Sequence, residues 1–353
     1  MTTSRLTLAH GGGGFQTERL LRDVIFPILS PDGPHAMDDS AVVDLFATRP
    51  DADGRLAFTT DSFIVSPLFF PGGDIGRLAV AGTVNDLAVV GAKPLWMSVG
   101  FILEEGLEIE TLQSICRSIR ATAEEAGVQI VTGDTKVVER GKGDGCYINT
   151  SGIGRLLCDP GPSLGRARAG DAVIITGTIG DHGAAVVAQR ESLALESSLE
   201  SDVAPLGAML NGLVERCGDA IHVLKDPTRG GLAMACHEIA GASNVRIELD
   251  EVALPVRSEV RAICELLGFD VLEVANEGKA VVVCAVEAAG AVVGHLRDTE
   301  RGCCAVVCGR VEQVGDTRRV SICPDHPVVV LRTRAGGERL VAKPAGEILP
   351  RIC

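Results

Sequence analysis

Residues 75–91 read IGRLAVAGTVNDLAVVG. Apart from Arg77 and the pair Asn85-Asp86, every position is apolar, glycine or threonine, so the stretch is apolar nearly all round, as a buried helix is. Asn and Asp are poor helix formers and costly to bury, so their place in the middle of this run points to a special role. On the N-terminal side, RLAFTTDSFIV (55–65) and AVVDLF (41–46) read as strands, PLFFPGG (67–73) as a loop, and 17–28 as a helix broken near Pro27. On the other side a helix is predicted over 108–126, where Ile109, Leu112, Ile115, Cys116, Ile119, Ala123 and Ala126 recur at three- and four-residue steps. Strands follow at 128–138 and 146–157, and the Gly- and Pro-rich segment 159–168 marks a domain boundary.

The second half opens with a strand (171–177), a Gly-rich turn and a helix (181–190), then a polar loop at 192–205. Helices are predicted at 206–216, 229–241, 256–267 and 287–297, and strands at 245–249, 271–275, 279–286 and 304–314. A hairpin pairs 328–334 with 338–342 across Ala335-Gly336-Gly337. Strands often follow one another directly, which favours an α+β (mixed α/β) fold over a strict doubly wound sheet. The expected division is an N-terminal domain (1–158), a C-terminal α/β domain (159–342) and a flexible tail, KPAGEILPRIC (343–353).

With 353 residues, 46% hydrophobic and 23% charged, the chain can bury a sizeable core. Its net charge of −14, with no Lys/Arg run, argues against gripping nucleic acid. No run of apolar residues is long enough to span a membrane and no leader peptide is read at the N-terminus, so the expected location is the cytoplasm. The twelve cysteines lie mostly in apolar runs and are expected to be reduced core residues, the Cys303-Cys304 pair being read as structural. Neither GxGxxG nor GxxxxGK[ST] occurs.

The chemistry is concentrated in acids set in apolar or glycine-rich contexts: Asp38-Asp39, Asp61, Asp86 with its neighbour Asn85, Asp134, Asp226 and Glu277. Singly, each reads as a turn or cap residue. Converging on one cleft, they would repel one another unless cations lay between them, and hard oxygen ligands suit Mg²⁺ on a phosphorylated substrate. Lys136 and Lys279 each follow an acid by two residues, where they can neutralise a carboxylate, form a surface salt bridge or steady a transferring phosphoryl group. In Asp226-Pro-Thr-Arg-Gly-Gly, Thr228 is expected to cap the next helix, whose free N–H groups favour an anion. Thr176–Gly183 (TGTIGDHG) repeats that design, with His182 beside the helix start, where a catalytic base is one reading and a local hydrogen-bonding role the favoured one. Cys353 closes the sequence on a mobile segment, where a structural thiol gains nothing and a group carrier gains reach: eleven extended residues span roughly 35 Å.

Taken together, AHGGGG (9–14), GTVNDLAVVGAKP (82–94), GFILEEGL (100–107), IVTGDTKVV (130–138), TGTIGDHG (176–183), DPTRGG (226–231), ANEGK (275–279) and the final PRIC resemble the HypE family of hydrogenase maturation proteins over essentially the whole chain. The one departure noted is Asp226-Pro-Thr for the more usual Asp-Ala-Thr. The resemblance implies the two-domain fold of aminoimidazole ribonucleotide synthetase, a homodimer paired through its N-terminal sheets, and ATP with Mg²⁺ in a cleft near that interface. It implies a carbamoyl group loaded onto Cys353 by HypF, dehydrated with ATP to a thiocyanate, and passed as cyanide to iron on a HypC–HypD complex. On that reading Asp39, Asp61, Asp86 and Asp134 hold the metal, and Asn85, Thr135, Asp226 and Arg229 join them around the nucleotide. Lys136 stabilises the γ-phosphate, Glu277 is the general base and Cys353 the carrier. A small-molecule kinase of the same superfamily, which needs no terminal thiol, and a non-catalytic docking scaffold are the competing readings.

Overall fold

The computed structural model describes residues 15–20, 41–44, 55–191, 199–314, 328–346 and 349–353. The first half contains α1 (Phe15–Leu20), β1 (Ala41–Asp44), β2 (Arg55–Phe63), a minimal hairpin of β3 (Phe69–Phe70) and β4 (Gly73–Asp74), α2 (Ile75–Val89), β5 (Ala92–Glu104), α3 (Ile109–Ala126), β6 (Gln129–Val138) and β7 (Cys146–Leu156). Five strands form one sheet in the order β1-β2-β7-β5-β6, antiparallel except for β5–β6, which α3 connects as a parallel crossover. The small hairpin stands where the sequence predicted a loop.

The nearly uniform apolarity of residues 75–91 has a plain cause. Helix α2 is buried at every position but Arg77 and Asp86, packing on β2 and β7 and against α3. Asp74 caps it, its Oδ1 accepting from the N–H groups of Gly76 (2.7 Å) and Arg77 (3.2 Å). Arg77 pairs with Glu125 on α3 and donates its Nε to the Val203 carbonyl, reaching into the second half.

That half contains β8 (Ala172–Ile175), α4 (Asp181–Arg190), α5 (Gly207–Cys217), β9 (Ile221–Lys225), α6 (Gly231–Ser243), β10 (Val245–Asp250), α7 (Ser258–Leu267), β11 (Val281–Cys284), α8 (Ala289–Arg297), β12 (Val306–Gln313), β13 (Val329–Arg332) and β14 (Glu338–Leu340). Seven strands run in the order β14-β13-β10-β12-β8-β11-β9, and only β10–β13 is parallel. The centre of the sheet is covered on both faces, by α6 on one side and α5 with α8 on the other. That is why β8, β9 and β11 read as unbroken apolar runs.

Two readings need correction. Residues 271–275 are not a strand. Asp270 accepts the Leu272 N–H at 3.0 Å and turns Val271–Glu273 into a single 3₁₀ turn, whose short, mostly apolar sequence imitates a strand. Of the cysteines, Cys146, Cys236, Cys264, Cys284 and Cys308 are core residues, but Cys116, Cys303 and Cys304 are exposed, the last two with sulfurs 3.8 Å apart. Among the described residues, no helix is long and apolar enough to cross a membrane.

Candidate active site

Between the two halves lies a cavity of about 240 Å³. Thr59, Thr60 and Asp61 on β2 form one wall, and Gly82 and Asp86, one helical turn apart on α2, form the next. Asp86 Oδ2 accepts from the Thr59 hydroxyl at 2.9 Å, which ties the helix to the strand. Asp61 is fixed by the Ser62 N–H, 2.8 Å from its Oδ1, with the Arg229 guanidinium 3.9 Å away. Burial raises its pKa against the pull of that arginine.

The opposite wall belongs to the second half. Lys225 and Asp226 leave the end of β9, Thr228 and Arg229 follow, and Glu238 comes from α6. Lys225 Nζ lies 3.4 Å from Asp226 and 3.7 Å from Glu238. Burial raises the Glu238 pKa despite that lysine. Thr228 does not cap α6 as predicted: two glycines with left-handed backbone, Gly230 (φ +74°) and Gly231 (φ +58°), start the helix without a side-chain cap. Thr228 instead lines the cavity.

Glu277 closes the cavity floor. Its side chain is buried, and Oε1 has no hydrogen-bond partner among the described residues. Burial, with Asp226, Asp202 and Asp61 nearby, holds its pKa well above the usual carboxylate range. The loop that carries it is latched by Asp202, which accepts the N–H groups of Glu277 (3.1 Å) and Gly278 (3.2 Å) and pairs with Lys279 (3.2 Å). The approach at Gly278 is so close that a Cβ there would stand 1.8 Å from the Asp202 carbonyl oxygen, so only glycine fits.

The end of the tail reaches this cavity. Ile352 is buried and Cys353 lines the wall. Arg190 donates to the carbonyls of Pro350 (2.8 Å) and Arg351 (2.6 Å), and the Ser66 N–H also donates to Arg351 (3.1 Å). His182 Nε2 donates to the Ile352 carbonyl at 2.8 Å, which makes Nδ1 the acceptor of the Ser201 hydroxyl at 2.7 Å. Burial lowers the His182 pKa, in keeping with this neutral form. The local hydrogen-bonding role predicted for His182 is therefore to hold the tail.

Of the predicted site residues, Asp61, Asp86, Asp226, Arg229, Glu277 and Cys353 line the one cavity. Asn85 does not. Its Nδ2 donates to the carbonyls of Ala204 (3.1 Å) and Glu277 (3.3 Å), and its Oδ1 accepts the Leu206 N–H (2.7 Å), so it stitches α2 to the second half. Asp134, Thr135 and Lys136 lie on edge strand β6, three strands from Asp61, or roughly 14 Å at the usual strand spacing. There Lys136 Nζ contacts both oxygens of Asp134, at 3.0 and 2.9 Å. Asp38 and Asp39 fall outside the described residues. Thr59, Lys225, Glu238, Asp202 and Arg190 are additions. Glu238 carried the same signal as Asp86, an acid within an otherwise apolar helix; Asp202 and Arg190, in polar surroundings, carried none.

Residues 37–156 match the model for the N-terminal domain of AIR synthase related proteins, and residues 168–321 match that for the C-terminal domain. The chain is 46% identical over 352 residues to the carbamoyl dehydratase HypE of Rhodobacter capsulatus, covering 99% of this chain and 98% of that one. It belongs to the HypE family. A crystal structure of HypE in complex with ATP superposes with a TM-score of 0.81 at 45% identity, covering 99% of this chain and all of that one. HypE in a HypE–HypF complex gives 0.82 at 44% identity, covering 92% of this chain and 99% of that one. The fold is therefore the two-domain α+β architecture of HypE.

Proposed function

We propose that this chain is an ATP-dependent carbamoyl dehydratase that converts an S-carbamoyl group on Cys353 to a thiocyanate in hydrogenase maturation. The observation that carries the reading is the presence of Cys353 in the same cavity as Asp61, Asp86, Asp226 and Glu277, whose Oε1 has no hydrogen-bond partner among the described residues. A thiocarbamate, Cys–S–CO–NH₂, does not lose its oxygen as oxide at neutral pH. Transfer of the γ-phosphoryl group to that oxygen converts it to a phosphate ester, and loss of both N–H protons with expulsion of phosphate leaves Cys–S–C≡N. The sum is thiocarbamate plus ATP giving thiocyanate, ADP, phosphate and a proton, with the carbonyl oxygen in the phosphate. Glu277 takes an N–H proton; burial raises its pKa, which makes its carboxylate a stronger base than an ordinary one. His182 and Arg190 hold the carrier segment in place.

The cavity lining includes Asp61, Asp86, Asp226, Glu238 and Glu277 against Lys225 and Arg229, so a triphosphate needs added cations to enter. The carboxylates of Asp61 and Asp86 fit Mg²⁺, which favours hard oxygen ligands and neutralises phosphate charge.

Two copies pair through the open face of the N-terminal sheet. Phe58, Trp96 and Ile102 stand exposed there, and on edge strand β6 Asp134 and Lys136 share that face through their register with Gly100 and Ile102. Pairing would bring Asp134, Thr135 and Lys136 to the nucleotide of the partner copy. HypF is the carbamoyl donor, the HypC–HypD complex the cyanide acceptor, and the cytoplasm the compartment that keeps the thiols reduced. The test is mass spectrometry of the peptide bearing Cys353 after carbamoylation and addition of ATP. The expected product is lighter than the thiocarbamate by one water, with one ADP formed. A thiocarbamate that persists while ATP is bound would overturn the reading.

A further inference from the structure

Resting on that reading, we infer that the groove holding residues 349–353 is a peptide-recognition site, able to seat a separate S-carbamoylated peptide of this sequence and dehydrate it in trans. The groove reads main chain. Each of three successive carbonyls, those of Pro350, Arg351 and Ile352, receives a donor from the body of the protein. Leu349 and Ile352 add two apolar anchors inserted in the core beside α4. The Arg351 side chain pairs with Asp144 at 2.9 Å in a half-exposed contact that contributes little. These contacts hold the segment by its main chain and its two apolar side chains, with Cys353 at the cavity wall.

The donors are positioned by residues outside the tail. Arg190 Nε donates to the Ser66 carbonyl at 2.8 Å, and His182 Nδ1 is set by Ser201, whose oxygen also accepts the Val203 N–H at 3.1 Å. A donor set fixed in this way stays organised when the segment leaves, which lowers the cost of seating another copy of it. The covalent connection then supplies effective concentration, of millimolar order for a short flexible linker, and a free peptide at about that concentration replaces it.

The experiment uses the full-length chain carrying Ile352→Glu and Cys353→Ser, whose own tail neither seats nor carries the group. It is supplied with ATP, Mg²⁺ and a synthetic peptide of residues 343–353 bearing S-carbamoyl cysteine. The expected result is saturable formation of the S-cyanated peptide, lighter by one water, with one phosphate released per peptide. A peptide of the same composition with residues 349–352 shuffled should be inactive. Arg190→Ala should raise the half-saturating peptide concentration about tenfold or more, from loss of two charge-assisted hydrogen bonds, with a smaller effect on the saturated rate. If the doubly substituted chain fails to bind ATP, Cys353→Ser alone takes its place, with the same outcomes at higher peptide concentration. Equal turnover of the shuffled peptide, or no product at several millimolar peptide, overturns the inference when the intact carbamoylated chain converts normally. Failure of that intact chain as well would count against the proposed function itself.

Discussion

Two segments of this protein, one on edge strand β6 and one in a loop, carry the same short pattern, an acid two residues before a lysine. In Gly133-Asp134-Thr135-Lys136 the lysine folds back onto its own acid in solvent, and that contact holds the Asp134 pKa below the usual carboxylate range. In Asn276-Glu277-Gly278-Lys279 the lysine turns away to Asp202, and Glu277 is left buried with an unpartnered oxygen and a raised pKa. The difference lies in a third residue, distant in sequence, that captures the cation. A motif of this kind specifies the groups; the surrounding fold decides which of them is poised for proton transfer.

The largest expected effect breaks the comparison at its reactive end. Glu277→Gln removes the base and should slow thiocyanate formation by about 10² to 10⁴-fold in a single-turnover assay, with ATP binding retained. Wild-type activity should rise with pH through the raised Glu277 pKa, so the acid limb of the rate profile should lie above the ordinary carboxylate range. The same substitution should stabilise the fold at higher pH. Protonated in both states, Glu277 adds no penalty; once pH passes its unfolded value, the native state loses stability until the folded value is reached. Over that window the advantage of Gln should grow by about 1.4 kcal/mol per pH unit, and thermal melts of the two proteins across pH would reveal it.

A finer test removes the residue that separates the two segments. Asp202→Asn takes away a negative neighbour of Glu277 and releases Lys279, and both changes favour the ionised carboxylate. The acid limb should shift to lower pH; a limb that stays in place would deny Asp202 its part. Asn85→Ala deletes three buried hydrogen bonds, one of them to the Glu277 carbonyl, and should cost about 3 kcal/mol in denaturant unfolding. The smallest effect falls on the strand segment. Asp134→Asn should leave the melting temperature nearly unchanged, because the pair is solvent-exposed, while ATP turnover falls if a partner copy uses that carboxylate.

Much of the fold was legible because periodicity and burial agree. The apolar run at 75–91 is a buried helix, and α3 declared itself by its spacing. The strand expected at 271–275 failed because one Asp side chain overrides a short, mostly apolar run. Within the site, Asp86 was visible as a charge misplaced in an apolar helix. Its neighbour Asn85 gave the same signal and serves a different purpose, since one residue's step turns a helical side chain to another face. Asp202 could not be found in this way, because its importance comes from contacts 75 and 76 residues further along the chain.

The seated tail touches Ser66 and Asp144 from the first half of the protein and His182 and Arg190 from the second. It is thus a removable brace as well as a carrier. Departure of the segment to collect or deliver cargo, as proposed, would unfasten a strut between the two halves, so the enzyme should be at its most pliant when its arm is away from home.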